Sequence, residues 1–384
     1  MSRKQLSGRD PATGAGVQLT IENGIILNIA TAETFDDVWI SAGLVDLQVN
    51  GYRGLDINGP DLCPEVVSQL TRALLATGVT AFAPTVCTAP EADIVQRLAA
   101  IAEARTQDPL VRACIPFIHV EGPHISPRDG YRGAHPLASV RPSSLREFQM
   151  WQDACDGLVG LVTLSPHSPA AEEYISAVTQ CGVHVSLGHT HASHAQITAA
   201  ADAGARMSTH LGNGLALQVD RHPNPIWSQL ADDRLTATFI ADGHHLPAET
   251  LKAMIRAKGI ERSILVSDSV ALAGMPPGCY ETPIGGRVEL SSDGRISMEG
   301  TSTLAGAGVP LVVCVGLATG MTGRPLAEVL TMATRNPGRF AGDRGTLAPG
   351  ALAHIFRFHW NAQKCTITVK DVWLAGEPVY QAAS

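Results

Sequence analysis

The chain divides by the period of its apolar positions. Over residues 17–28, VQLTIENGIILN, apolar and polar residues alternate on either side of Asn23-Gly24, the dipeptide that most strongly favours a tight hairpin turn. Near the other end, GTLAPGALAHIFRF and TITVKDVWLAGEPV read in the same way, as strands separated by Gly and Pro turns. The two ends are expected to pair into one small β-sandwich, with residues 1–41 as its N-terminal part and 344–384 as its C-terminal part. Between them, over 42–343, the period changes. Short apolar runs recur between helical stretches, which predicts βα units and a parallel sheet buried on both faces. The candidate strands are 42–49, 79–86, 111–120, 158–164, 183–188, 206–210, 235–241 and 262–267.

Eight such units predict an α/β fold, a closed (β/α)8 barrel of the TIM type, with its chemistry at the C-terminal ends of the strands. A Gly/Pro-rich segment, 275–302, contains GRVEL and GRISM and reads as a hairpin inserted after the eighth strand. The stretch 304–321, LAGAGVPLVVCVGLATGM, carries no charge over eighteen residues, which approaches the length of a membrane span. Its glycines, Pro310 and lack of basic flanks favour a buried helix packed on the barrel.

Composition narrows the class. With 45% hydrophobic and 17% charged residues in 384, the chain reads as a soluble globular protein with a large interior. A net charge of −8 and the absence of a basic run exclude a nucleic-acid partner. The N-terminal MSRKQLSGRDPATG has no apolar stretch behind it, so neither a signal peptide nor a membrane anchor is expected. Eight scattered cysteines without a C-x-x-C pair are expected to be reduced core residues of a cytoplasmic protein. There is no P-loop, dinucleotide fingerprint or G-x-S-x-G elbow.

The candidate chemistry lies where the apolar runs stop. IPFIHVEGPHISP, residues 115–127, delivers Glu121 at the end of a buried strand, and a carboxylate taken out of water needs a partner or a metal. The other strand ends carry Gln48 and Asn50 (first), His189 (fifth), His210 (sixth), Asp242 and His245 (seventh) and Asp268 (eighth). Glu121, His189 and His210 form an oxygen/nitrogen set of the kind that leaves a position open for water on zinc. Singly, each also reads as a satisfied polar strand end; their shared rim favours the metal. Two readings are open for Asp268: a base that passes a proton from water to a leaving amine, or a helix N-cap. Of the remaining histidines, His191 and His194 read as the solvent-facing start of a helix, His119 and His184 as barrel wall, and His124 and His167 as residues near the mouth without an assigned role.

GLVDLQVNG, TGVTAFAPT, HVEGPHISP, RGAHP, SLGHTHAS, STHLGNG, IADGHHLP, LVSDSVALAG, STLAGAG and ATRNPGRFAG follow one another along nearly the whole chain. In these motifs and their order the chain resembles the N-acetylglucosamine-6-phosphate deacetylases of the amidohydrolase superfamily. The resemblance implies metal-dependent hydrolysis of an N-acetyl amide to glucosamine 6-phosphate and acetate. It places the metal on Glu121, His189 and His210, and makes Asp268 the acid/base. It gives His135, in RGAHP, the role of polarising the acetyl carbonyl. Asn213, Gly214 and His245 would hold the sugar phosphate, and Arg221 would reach the phosphate from the other subunit of a homodimer.

Many superfamily members carry His-x-His on the first strand for a second metal. Here DLQVNG offers the neutral amides Gln48 and Asn50, poor transition-metal ligands, so the resemblance implies one divalent ion, zinc. Two departures bear on the substrate. THLGNGL stands where the family reads roughly THLYNAM, putting Gly212 and Leu215 in place of an aromatic residue and a methionine. QVDRHPNPIW also differs from the family's arginine loop, leaving Arg221 and His222 as alternative phosphate contacts. The competing expectations are a related amidohydrolase acting on another N-acyl sugar or amine, and a non-catalytic sugar-binding barrel.

Overall fold

The computed structural model describes residues 3–383. Its centre is an eight-stranded sheet whose neighbours follow chain order: Leu44–Val49, Val79–Cys87, Ile118–Glu121, Val159–Leu164, His184–Leu187, Met207–Ser208, Thr236–Ile240 and Ser263–Val266. Consecutive strands pair in parallel. The last returns to the first through a parallel bridge between Val49 and Ser269. The Asp268 backbone N–H donates to the Gln48 carbonyl at 3.0 Å at the same place. The barrel therefore shuts at its C-terminal rim, on the residues that carry its polar side chains.

The first three strands are buried along their whole length, as their unbroken apolar runs require. Val45, Leu47, Ala81, Ala83, Leu161, Ile240 and Val266 fill the barrel interior. A polar layer also lies inside it, where His119 Nε2 meets Thr163 Oγ1 at 2.8 Å and Thr209 Oγ1 lies 2.7 Å from Thr163 and 2.6 Å from Ser186. Burial pushes His119 down to about 4, so it is a neutral hydrogen-bonding wall residue.

Three expectations are corrected. The apolar run 111–120 is not one strand: Pro109–Cys114 is a helix, and the strand begins at Ile118. Asp108 caps that helix by accepting the Leu110 N–H at 2.8 Å, and Pro109 presets its first turn, local signals that override the run. The inserted segment is a three-stranded antiparallel meander rather than a hairpin, with strands Gly278–Thr282, Gly286–Leu290 and Ile296–Met298. Val288, Leu290 and Ile296 pack it onto Leu272 and Ala305. Only Cys87, Cys114, Cys155 and Cys314 are buried; Cys63, Cys181 and Cys279 are exposed and Cys365 is intermediate. Cys63 and Cys181 sit at helix termini, where the chain meets solvent.

The chain ends meet as one seven-stranded sheet. Gly16–Glu22 and Ile25–Thr31 form the hairpin around Asn23 and Gly24, both at positive φ, 50° and 81°, the conformation this turn demands. Ile355–Asn361 then pairs antiparallel with Trp39–Ala42, joining the C-terminal strands to the N-terminal ones. The uncharged stretch becomes helical only at Leu311–Thr322, beyond Pro310. Among the described residues no helix is long and apolar enough to cross a membrane.

Asp46, at the seam between the first and eighth strands, is fully buried and accepts the Ser267 N–H at 3.1 Å. Burial pushes its carboxyl up to about 7. The folded state thus binds a proton that the unfolded chain releases near pH 4, so this contribution to stability is present at low pH and lost as pH rises through about 7. Between pH 5.5 and 8 the loss is about 2 kcal/mol. Thermal melts are expected to show that Asp46→Asn flattens this pH dependence; an unchanged slope in the variant would refute it.

Candidate metal centre and substrate pocket

Three residues at the barrel rim adopt left-handed backbone conformations rare for side chains other than glycine: His189 at φ 47°, His210 at 30° and Asp268 at 50°. Each such residue costs on the order of 1 kcal/mol and persists only where its surroundings hold it. The His189 carbonyl accepts the Ser126 N–H at 3.0 Å, and the His210 N–H donates to Thr238 Oγ1 at 2.7 Å. These bonds hold the turns as the chain leaves the sheet.

His210 Nε2 lies 3.0 Å from Glu121 Oε1 and 3.1 Å from His189 Nε2, and His189 Nε2 lies 3.6 Å from Glu121 Oε1. Three ligands about 2.1 Å from a tetrahedral cation stand about 3.4 Å from one another, so the spacing suits one ion. His189 Nδ1 lies 2.9 Å from the Tyr131 carbonyl. A carbonyl only accepts, so the ring proton is on Nδ1 and the Nε2 lone pair faces the centre. All three residues are buried. Burial alone would raise the Glu121 carboxyl, but the two imidazoles hold it well below the ordinary carboxylate range. The donor set, its spacing and its outer hydrogen bond fit a divalent cation.

Gln48 and Asn50 face this centre as donors. Gln48 Nε2 donates to Glu121 Oε1 at 3.0 Å and to Asp268 Oδ1 at 3.1 Å, and Asn50 Nδ2 donates to Asp268 Oδ1 at 2.7 Å. Burial and the Glu121 charge push Asp268 up to about 6. The N-cap reading of Asp268 falls, because the chain continues into a bridge between Ser269 and Ala307 instead of a helix.

His135 comes in on the loop after the third strand. Its Nδ1 lies 2.8 Å from Thr88 Oγ1, its ring centroid 4.5 Å from that of His189, and burial pushes it down to about 3. Asn213 and Gly214 follow His210 by three and four residues. A Cβ at Gly214 would stand 2.7 Å from His189 Nδ1, so this loop closes on the centre only with glycine there. On the seventh strand's loop, Asp242 Oδ1 accepts the backbone N–H groups of His244 and His245, and Oδ2 meets His245 Nδ1 at 2.7 Å. Burial opposes the Asp242 charge, but His245 and these bonds bring it down to about 2.

Glu121, His135, His189, His210, Asn213, Gly214, His245 and Asp268 all line one cavity of about 310 Å³. Its outer wall is apolar, with Leu215, Ile284, Val288 and Leu304. Among the described residues no lysine or arginine lines it. Arg221 and His222 are exposed and lie outside it, so neither contributes to the cavity of its own chain.

Other assignments separate here. His124 is not at the mouth; it is buried, 3.1 Å from Glu147 and stacked on Trp151. His191 is half-buried rather than in solvent, tilted against His167 with centroids 4.6 Å apart, whereas His194 is exposed in a helix capped by Ser193. The sequence reading missed Cys87, which lines the cavity, Thr88, which holds His135, and Thr282 to Ile284 of the meander. Position at the end of the second strand was the available signal for Cys87 and Thr88. Nothing local marked the meander.

Residues 39–379 match the model of the amidohydrolase family. The N-acetylglucosamine-6-phosphate deacetylase of Vibrio furnissii is 29% identical over 374 residues, covering 94% of this chain and 90% of that protein. The N-acetylgalactosamine-6-phosphate deacetylase of Escherichia coli O157:H7 is 31% identical over 368 residues, covering 94% of each. In three dimensions, the N-acetyl-D-glucosamine-6-phosphate deacetylase of Mycobacterium smegmatis superposes with a TM-score of 0.87 at 26% identity, over 98% of this chain and 100% of that one.

Adding zinc to chelated protein is expected to raise its melting temperature. Zinc at a hundredfold excess over its dissociation constant corresponds to about 2.7 kcal/mol. Glu121→Gln, His189→Ala and His210→Ala are each expected to lose most of that shift. A full shift in His189→Ala would show that the ion binds elsewhere.

Proposed function

The chain belongs to the amidohydrolase family and is a metal-dependent amide hydrolase, and from that premise we propose that it deacetylates N-acetylglucosamine 6-phosphate to glucosamine 6-phosphate and acetate. The observation that carries this reading is the meeting of Glu121, His189, His210, Asp268 and His135 at the floor of one cavity. Glu121, His189 and His210 would hold the ion, and two imidazoles with one carboxylate suit zinc. A divalent cation there supplies an activated water and polarises the acyl carbonyl.

The chain's own groups do the remainder. Asp268 accepts a proton from the attacking water; as the C–N bond breaks, it returns that proton to the departing nitrogen. His135 Nδ1 lies 2.8 Å from the Thr88 hydroxyl; with that hydroxyl as the donor, His135 would present Nε2–H to the carbonyl oxygen as negative charge develops there. A neutral His135 suits this role, because it is a donor that does not add a positive charge beside the cation. Asp242 orients His245, which with Asn213 and the Gly214 backbone receives the sugar phosphate. Among the described residues the cavity offers the phosphate no lysine or arginine. Arg221 of a second copy, or His222 beside it, would supply the missing cation, and we therefore read the enzyme as a homodimer. Residues 42–343 form the catalytic unit, flanked by 1–41 and 344–384. A charged sugar phosphate as substrate and the free cysteines support the reading of a cytoplasmic enzyme.

Gly212 and Leu215 line the cavity, and by the resemblance they replace an aromatic residue and a methionine, so that the wall is opened at Gly212. They favour a second reading, another N-acyl hexosamine phosphate on the same catalytic floor. Acetate release is the test, with N-acetylglucosamine 6-phosphate, its galactose epimer and the unphosphorylated sugars, before and after chelation. Release is expected to be greatest with the glucose form and to stop on chelation; preference for an unphosphorylated sugar would overturn the assignment. Asp268→Asn is expected to lower kcat by at least about 100-fold while retaining the metal. Near-normal turnover in that variant would remove Asp268 from the mechanism.

A further inference from the structure

Asp268 Oδ1 accepts both amide groups, from Asn50 at 2.7 Å and Gln48 at 3.1 Å, while no group among the described residues donates to Oδ2 in a hydrogen bond. A carboxylate oxygen only accepts, so Asn50 must turn its Nδ2 towards Asp268 and its Oδ1 away. That Oδ1 meets the Cys87 thiol, with Sγ 3.0 Å away. Cys87 has no closer acceptor, since Glu121 Oε2 lies 3.8 Å from Sγ. Gln48 is committed in the same way, because its Nε2 also donates to Glu121 Oε1 at 3.0 Å. Gln48, Asn50 and Cys87 are all almost fully buried.

Resting on the deacetylase reading, we infer that Asn50 is a positioning residue: with Gln48 it reserves Asp268 Oδ1 as an acceptor and leaves Oδ2 to carry the proton, while the Cys87 thiol fixes which way the Asn50 amide faces. The torsion that turns a carboxylate about its last bond is broad and roughly two-fold. Without the amides, either oxygen could face the reacting centre and the carboxylate could swing away from it. With them, one oxygen is presented at one angle, and such alignment is what a general base in a fixed site requires. The two amides thus do more than stand in for the His-x-His of other superfamily members. They form a clamp on the acid/base.

Steady-state kinetics and zinc content of Asn50→Ala, Asn50→Ser, Cys87→Ala and Cys87→Ser test this. Asn50→Ala and Asn50→Ser are expected to lower kcat by about 30-fold or more with KM within about threefold and zinc content unchanged. Cys87→Ala is expected to lose about fivefold, and Cys87→Ser, which restores a donor, to recover most of it. In an Asp268→Asn background the Asn50 substitution is expected to have almost no further effect, because its target is already gone. Normal kcat in both Asn50 variants, loss of their zinc, or an undiminished effect in the Asp268→Asn background would overturn the inference. Equal rates in Cys87→Ala and wild type would remove the role given to the thiol. If the wild type releases no acetate, the deacetylase reading fails. Crystal structures then decide the positioning separately: a carboxylate unmoved in Asn50→Ala overturns it, and a rotated one upholds it.

Discussion

The structure depends on a desolvated carboxylate held between two imidazoles. Glu121 ends a buried strand with His189 and His210 3.6 and 3.0 Å away, and its charge is met by the Gln48 amide, which donates to it at 3.0 Å, and by the cation these three ligands would share. Four strands must therefore end at one level and turn inward. Barrel closure supplies that level, because the parallel register brings Cys87 opposite Glu121, and Glu121 opposite Thr163. The electrostatic demand and the geometry of a closed parallel sheet thus select the same rim.

The backbone carries the cost of this arrangement. His189, His210 and Asp268 all occupy left-handed conformations, a strain the surrounding hydrogen bonds sustain. Glycine solves the converse problem at position 214, where the chain must pass too close to the His189 ring for any side chain. Strain at the rim and a well-packed interior beneath it belong together. The polar layer of His119, Thr163, Thr209 and Ser186 lies within the buried wall and gives the centre a rigid floor.

Above the floor the cavity changes character. Its outer wall is apolar and partly built from the meander inserted after the eighth strand, while its polar contacts converge below. This division separates chemistry from selectivity: the floor sets the bond to be broken, and the wall and loops set which molecule presents it. Among the described residues no lysine or arginine lines the cavity, so the groups its own chain offers to an anion are side-chain amides, backbone N–H groups and imidazoles.

The sequence by itself determined the order of the eight strands, because each is a short apolar run bounded by helix and turn signals, and it determined the terminal hairpin through Asn23-Gly24. It also identified Glu121, His189, His210 and Asp268 as strand-end residues, since a charge or imidazole that ends a buried run is conspicuous in one dimension. Roles for His135 and Asn213 came from resemblance alone, because both lie in loops whose direction no local pattern encodes. A local signal, the Asp108 cap with Pro109 behind it, makes 109–114 helical against the apolar run. Only the tertiary structure decided that the insertion has three strands, that Asn50 partners both Asp268 and Cys87, and that Thr88 partners His135. These facts rest on contacts between residues tens to hundreds of positions apart. A hydrophobic period records which face of an element is buried, but it does not record what that face meets.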